Sequence, residues 1–253
     1  MFIAAGALYL VATVIRMAMA LRSRNQSSST YHAPQKMTLS ALRSNMGAMV
    51  ALVLAGGVMT WLFLSDSVND IAFSVANHFD PIYQSNIIGM SNIQITWVIS
   101  AFSIVRMIAL PFGGVFADKA GERVGICLGH FLCGLGGAIF LLGTAYPHFV
   151  LVSALYGLGV AFLSPAYNSL VSKEVPISIR GTAFGLVSTT LGIASLPAPY
   201  IGGLMWARFG PKAPFVLPLV ASLSMAAILW FKLPGKRDKA EQTAEAQASP
   251  SQA

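Results

Sequence analysis

Seven stretches of about twenty mostly apolar residues dominate this chain, at 2–21, 45–65, 94–116, 124–144, 149–172, 182–206 and 214–231. Each can cross a hydrocarbon core about 30 Å thick as one helix. A backbone in lipid must satisfy its N–H and C=O groups within its own segment. None of the seven alternates like a barrel strand, so all seven are read as helices. Of the 253 residues 55% are apolar and only 10% charged, a balance that a water-soluble domain of this length does not carry. The predicted fold class is an all-α membrane protein. The first stretch is too long for a signal peptide, lacks a basic start, and has Arg22 and Arg24 where a cleavage site would lie.

Lysine and arginine give the predicted orientation. Twelve of them fall in alternate connections and the carboxyl tail: Arg22, Arg24, Lys36 and Arg43; Lys119 and Arg123; Lys173 and Arg180; Lys232, Lys236, Arg237 and Lys239. The opposite connections hold only Arg208 and Lys212. The positive-inside rule then places the amino end outside and the carboxyl end in the cytoplasm of a multi-pass protein of the cell membrane. Residues 1–22 read as a lone transmembrane helix, 23–43 as a flexible cytoplasmic linker, 44–232 as a six-helix bundle, and 233–253 as a disordered cytoplasmic tail. The net charge of +7 is scattered over the ends of apolar runs and forms no basic face, so nucleic acid is excluded as a partner.

The stretch "GGVFADKAGERVG", residues 113–125, packs several charges into a turn between two apolar runs. So short a turn forces an antiparallel helix pair, and its glycines remove side chains that would hold the helix ends apart. Asp118 is expected just before a helix start, where exposed amides favour negative charge. Lys119 and Arg123 are within reach of that carboxylate, of a neighbouring helix end, or of lipid phosphates. On composition alone this is a charged loop that keeps the hairpin in register.

The spacing says more. Gly114, Asp118, Lys119, Gly121 and Arg123 give G-x-x-x-D-K-x-G-x-R, which resembles the signature between the second and third helices of each half of major facilitator superfamily transporters. "GLGVAFLSPAYNSLVSKEVPISIRGTAFGL", residues 157–186, is similar to the fourth-to-fifth helix junction of such a half, with Gly157, Gly159, Pro165, Arg180, Gly181 and Gly185 in place. "APYIGGLMWARFGPKAPF", residues 198–215, is similar to the fifth-to-sixth connection. The resemblance implies one lone span plus a six-helix bundle of the major facilitator type, matching the sixth to twelfth helices of a twelve-helix carrier. The chain is then expected to be a carboxyl half, whether from a truncated gene, a split gene or a misplaced start. Its partners would be a small-molecule solute, the lipid bilayer and the missing amino-terminal helix bundle.

In a carrier of this kind two bundles rock about a central site. By resemblance, Gly114, Asp118, Lys119, Gly121 and Arg123 form a cytoplasmic latch, and Arg180 and Gly181 either extend it or, for Arg180, anchor a helix at the interface. Arg106 lies near mid-span, where an arginine costs at least about 2.5–3.5 kcal/mol unless it faces protein or water; it either lines the solute cavity or makes an internal structural pair. Arg16 snorkels to the surface. Tyr156, Tyr167, Asn168, Ser188 and Thr189 offer hydrogen bonds to a solute or to one another. Pro165, Pro197 and Pro199 are expected to bend their helices.

No Asp or Glu is expected mid-span, so this chain alone shows no coupling carboxylate: the coupling residue lies in the missing helices or transport is uncoupled, with Asp66 and Asp70, at or beyond the outer end of the second span, as weak substitutes. His130 and the two cysteines, Cys127 and Cys133, read as packing residues. Gly125, Gly129, Cys133 and Gly137 form a small-residue stripe. Residues 66–93 leave two readings open, a prolonged helix or a segment along the membrane surface.

There is no phosphate-binding loop, no metal-spaced His and Cys cluster and no nucleophile with a base nearby in sequence. No enzyme activity, cofactor, metal site or catalytic residue is therefore expected. The leading reading is secondary, alternating-access transport of a small organic solute, efflux included. Two alternatives remain: a truncated, non-transporting fragment that binds a partner bundle, and a seven-helix receptor of the same topology.

Overall fold

The computed structural model describes residues 57–175 and 195–235, together with Thr13, Met17, Gly185 and Gly192. The chain divides into two compact units, residues 1–42 and 43–253, and the elements below all belong to the second. The expected lone helix and linker, Arg16, Arg180, Gly181, Ser188, Thr189 and most of the expected tail lie outside the described residues.

The described secondary structure is helical: α1 (Val58–Asn77), α2 (Asp80–Asn86), α3 (Asn92–Ala120), α4 (Glu122–Leu142), α5 (Tyr146–Glu174), α6 (Ala198–Phe209) and α7 (Ala213–Lys232). Four of these, α3, α4, α5 and α7, are long and apolar enough to cross a membrane. Helix α5 packs on both α3 and α4, α7 lies along α4, and α1 packs chiefly on α7.

Local chemistry sets several boundaries. Ser91 caps α3 by accepting from the Gln94 amide while the Gln94 side chain accepts from the Ser91 amide, a reciprocal capping box. Pro81, Pro147 and Pro214 stand in the first turns of α2, α5 and α7, where a missing N–H leaves no helix bond unmade. Helices α3 and α4 meet at Gly121, whose φ of +97° is accessible to glycine at little cost and closed to most other residues.

That junction corrects the expected turn. The helices extend to Ala120 and from Glu122, so Asp118 lies in the last turn of α3, and the acid in the first turn of α4 is Glu122. A hydropathy window ends where charge begins, but these charged residues retain good helix propensity and the ladder runs on until Gly121 ends it. Pro197 and Pro199 also depart from expectation. Residues 195–197 form a turn that interrupts the continuous span expected over 182–206, with Pro197 capping α6 and Pro199 in its first turn. Both stand at the start of α6, where no helical amide bond is needed, whereas Pro111, Pro165 and Pro218 do lie inside α3, α5 and α7.

Glycine governs the helix crossings. Pro165 has no N–H, so the Ala161 carbonyl loses its usual helical donor. A Cβ on Gly113 would overlap that same carbonyl; the glycine hydrogen in its place points at the oxygen, a Cα–H···O contact between α3 and α5. A second close approach lies nearby, where a Cβ on Gly157 would stand 2.5 Å from the Phe102 carbonyl oxygen. The expected small-residue stripe on α4 serves two neighbours. Gly125 and Gly129 lie against Ala166 and Leu163 of α5, and Cys133 meets Gly159, whereas Gly137 lies against Leu219 of α7. A four-residue step turns about 40° around a helix of 3.6 residues per turn, so three steps carry the stripe about a third of the way round.

Two buried clusters fill the bundle. Leu62, Ile126, Leu170 and Leu229 belong to one, near the end that carries Lys119, Lys173 and Lys232 and is called the basic end below. Tyr83, Phe140, Phe149 and Phe215 form the other, with ring centroids 4.3–6.3 Å apart.

Neighbouring glycines of α3 should respond oppositely to one methyl group. Gly113→Ala should destabilise the bundle by about 1–3 kcal/mol because the clash is with backbone. A Cβ on Gly114 meets nothing within 4 Å, so Gly114→Ala should be neutral or stabilise by about 0.5–1 kcal/mol. Thermal unfolding of the two variants in detergent measures the difference; equal midpoints would remove the carbonyl contact as a constraint.

Candidate functional site

Helix α1 is the element that builds a site. It runs past Ser65, where hydropathy ended the expected span, to Asn77. Asp66, Asn69, Asp70, Phe73 and Asn77 recur at helical spacing and face one cavity of about 400 Å³. Opposite them stand Val98, Ile99 and Phe102 of α3, His130 and Cys133 of α4, and Ser153, Tyr156, Val160 and Leu163 of α5. The α4 and α5 positions fall between the two buried clusters and lie midway along candidate spans. Asp66 and Asp70, expected at or beyond the outer end of the second span, stand within α1 and face this cavity. Two carboxylates and two amides depress the hydropathy of the segment, yet all four line a mainly apolar cavity rather than packing against hydrocarbon.

Hydrogen bonds and ring contacts hold this face in place. The Asn69 amide donates to the Ser65 carbonyl at 3.0 Å, and its oxygen accepts from the Ser222 hydroxyl of α7 at 2.9 Å. Phe73 meets Tyr156 edge-to-face, with centroids 5.5 Å apart. The Tyr167 hydroxyl is buried beside the Asp66 carboxylate, close enough to interact but short of a well-formed hydrogen bond. Asp66 and Asp70 stand one turn apart on the cavity face of α1.

The expected cavity residues separate in space. Tyr156 lines the cavity, and Tyr167 approaches it through Asp66. Asn168 is exposed on α5. Arg106 is exposed on α3, on a helix that also exposes Trp97, Met107, Ile108 and Phe112, and it is not among the residues lining this cavity. His130 is buried and lines it. The α1 stripe was readable in principle, because its polar positions repeat every three to four residues; a search by mean hydropathy discards that phase.

At the basic end the signature residues also take separate roles. Asp118 and Lys119 are exposed on the last turn of α3, and each has interaction partners. Arg123 turns onto α7, its guanidinium 4.7 Å from the centre of the Trp230 ring. Glu122, unnoticed in the sequence pattern, ties α4 to α5 through an ion pair with Lys173 and a 3.1 Å hydrogen bond donated by Ser169. Lys232 covers Trp61 at 5.1 Å, joining α7 to α1. At the opposite end Lys212 donates to the Leu141 carbonyl in the last turn of α4 at 2.7 Å, a favourable place for a cation.

The helical architecture, the acid-faced cavity and the signature turn agree with the similarity to known proteins. The model for the Major Facilitator Superfamily matches residues 62–253, well over half of the chain. The chain belongs to the Major Facilitator Superfamily. This superfamily member is therefore an all-α protein of the membrane. It is similar to Multidrug resistance protein 2 of Bacillus subtilis (strain 168), at 31% identity over 147 residues, covering 56% of this chain and 36% of the relative. It is also similar to Quinolone resistance protein NorA of Staphylococcus aureus (strain MRSA252), at 27% identity over 135 residues, covering 53% of this chain and 34% of the relative. The match thus spans about a third of the length of these relatives.

Asp80, in the short helix outside the candidate spans, borders the same cavity. Burial pushes its carboxyl up to about 6, against a 2.7 Å hydrogen bond from Gln84 that pulls it down. Because the folded value exceeds the ordinary 3.8, the folded chain keeps this proton where the unfolded chain has released it. The group's favourable contribution is complete below about pH 3.8 and is lost as pH rises through about 6. Asp80→Asn keeps an acceptor for Gln84 and should flatten the decline in thermal midpoint between about pH 4 and 6, the window set by the two values, read by unfolding in detergent. An unchanged slope would eliminate Asp80 as its source.

Proposed function

We propose that the chain is the carboxyl half of a secondary carrier that exports small amphiphilic organic cations by alternating access. The cavity carries this reading: about 400 Å³, walled by Phe73, Phe102 and Tyr156 and faced by Asp66, Asp70 and Asp80. Rings and aliphatic side chains accept an apolar body, and carboxylates accept a positive charge. Proton and cation compete for Asp66 and Asp70, since two acids one turn apart favour any ligand that neutralises one of them. That competition is what exchange of a proton for a solute requires, so the coupling group belongs to this chain. The names of the relatives, a multidrug and a quinolone resistance protein, support export of small organic compounds.

The complete carrier needs a second bundle. Helix α3 leaves Trp97, Met107, Ile108 and Phe112 exposed, with Arg106 on the same helix, and the amino-terminal bundle is assigned to that face. Asp118 and Lys119, exposed where α3 ends, contribute to the latch that closes the cytoplasmic side, while Arg123 fixes α4 on α7. The orientation remains that of the positive-inside pattern, amino end outside and carboxyl end in the cytoplasm. The chain acts as a carrier and not as an enzyme. A fragment that binds a partner bundle without transport is the reading to which an inactive reconstituted pair would lead.

Vesicles containing this chain with an amino-terminal bundle should expel a fluorescent organic cation, and vesicles with the chain alone should not. Replacing Asp66 and Asp70 together by Asn should lower cation transport at least about tenfold, the effect of some 1.4 kcal/mol, while leaving the helix content intact. Undiminished flux in that variant would overturn the assignment of the cavity. Asp118→Asn should slow flux without changing equilibrium binding of the same cation; unchanged flux would exclude the latch.

A further inference from the structure

A second concavity, of about 570 Å³, lies between α4 and α7 and is separate from the solute cavity. Val124, Leu128 and Phe131 form one wall, Leu223, Ala227 and Trp230 the other. No charged side chain lines it. Phe131 is 52% exposed and Trp230 46% exposed, so the walls open onto the membrane-facing surface of the two spans. The volume is that of a site for a small molecule or a chain, larger than a packing defect.

One end of the groove is basic. Arg123 precedes Val124 and lies over the Trp230 ring. Its Nε–H is buried, and no acceptor meets it among the described residues. Of the acids near it, Glu122 is held by Lys173 and Ser169. Lys119 and Lys232 occupy the last turns of α3 and α7 at this end. A guanidinium with an unmet donor at the head of an apolar trough matches a molecule with an anionic head and a hydrocarbon tail.

We infer that the α4–α7 groove binds an anionic phospholipid, an acyl chain lying between Leu128 and Ala227 and the phosphate accepting from Arg123 at the basic end. The membrane supplies this ligand at high local concentration in the leaflet on that side, and basic sites between helices suit such head groups. An aromatic ring beneath the guanidinium fixes its plane, so the phosphate oxygens meet a preset pair of donors. The lipid completes a seam that the protein leaves open, and it engages no residue of the solute cavity.

Photoactivatable lipids carrying a diazirine in one acyl chain test the site on the full chain in phosphatidylcholine vesicles. Labelled peptides are mapped for a phosphatidylglycerol probe and for a phosphatidylcholine probe, with labelling of the exposed α3 face as reference. The phosphatidylglycerol probe should mark 124–131 and 223–230 about fivefold more than the phosphatidylcholine probe, relative to α3, the preference expected for one cation. Added salt should reduce it. Arg123→Gln should bring the ratio to one, Arg123→Lys should restore much of it, and Ala227→Phe should block groove labelling by both probes. Equal labelling of the groove by the two probes in the native chain, or an unaltered preference in Arg123→Gln, would overturn the inference. Each comparison is made within one variant, so loss of folded protein lowers groove and reference together and cannot imitate either result.

Discussion

The bundle rests on backbone-to-backbone contact between helices. In water, apolar side chains drive helices together; in lipid the surrounding tails are equally apolar, and association depends on close packing and polar contacts. Gly113 and Gly157 bring α3 and α5 together at the Ala161 and Phe102 carbonyls, and Gly129 and Gly159 do the same for α4 and α5. The carbonyl that Pro165 strips of its donor is the one that Gly113 approaches, so a defect in one helix becomes a contact for the next. Helix α5, placed by these glycines, then presents Ser153, Tyr156, Val160 and Leu163 to the cavity.

The cavity forms where that close packing stops. Leucines fill the bundle toward the basic end, and aromatic rings fill it at the other. Between them α1 offers carboxylates and amides that cannot pack against hydrocarbon and therefore keep a space that water or a solute can enter. Asn69 serves both purposes, with its side chain tied to Ser65 and Ser222 while it borders the open space. An acid on this face costs least when a cation or a proton balances it, which is the physical basis of the proposed function.

How much of this could be read from the sequence depended on the signal each feature leaves. The spans α3, α4, α5 and α7 are near-continuous apolar runs, and a lipid-facing helix leaves no other pattern. The antiparallel junction at Gly121 was legible because glycine and charge punctuate it, though its helix ends were not, since charged residues extend a helix as readily as they end a hydropathy window. The site was missed for the same reason. Asp66 and Asp70 lower the mean that defines a span, and their common face emerges only from their phase. Tyr156 was found by chemistry alone, as a hydroxyl within a span, whereas the outward placement of Arg106 depends on which face of α3 the glycines turn inward.

Charge at the two sites follows one rule of placement with opposite sign. The carboxylates of α1 line the cavity, where the proposed function leaves a mobile solute or a proton to balance them. Arg123 lies at a helix end beside an apolar groove, over the Trp230 ring, where the inferred lipid phosphate would meet it. A bundle that moved its solute past Arg123 would repel the cations that α1 attracts. In the proposed carrier, keeping the two apart would let lipid neutralise one charge while transport neutralises the other in turn.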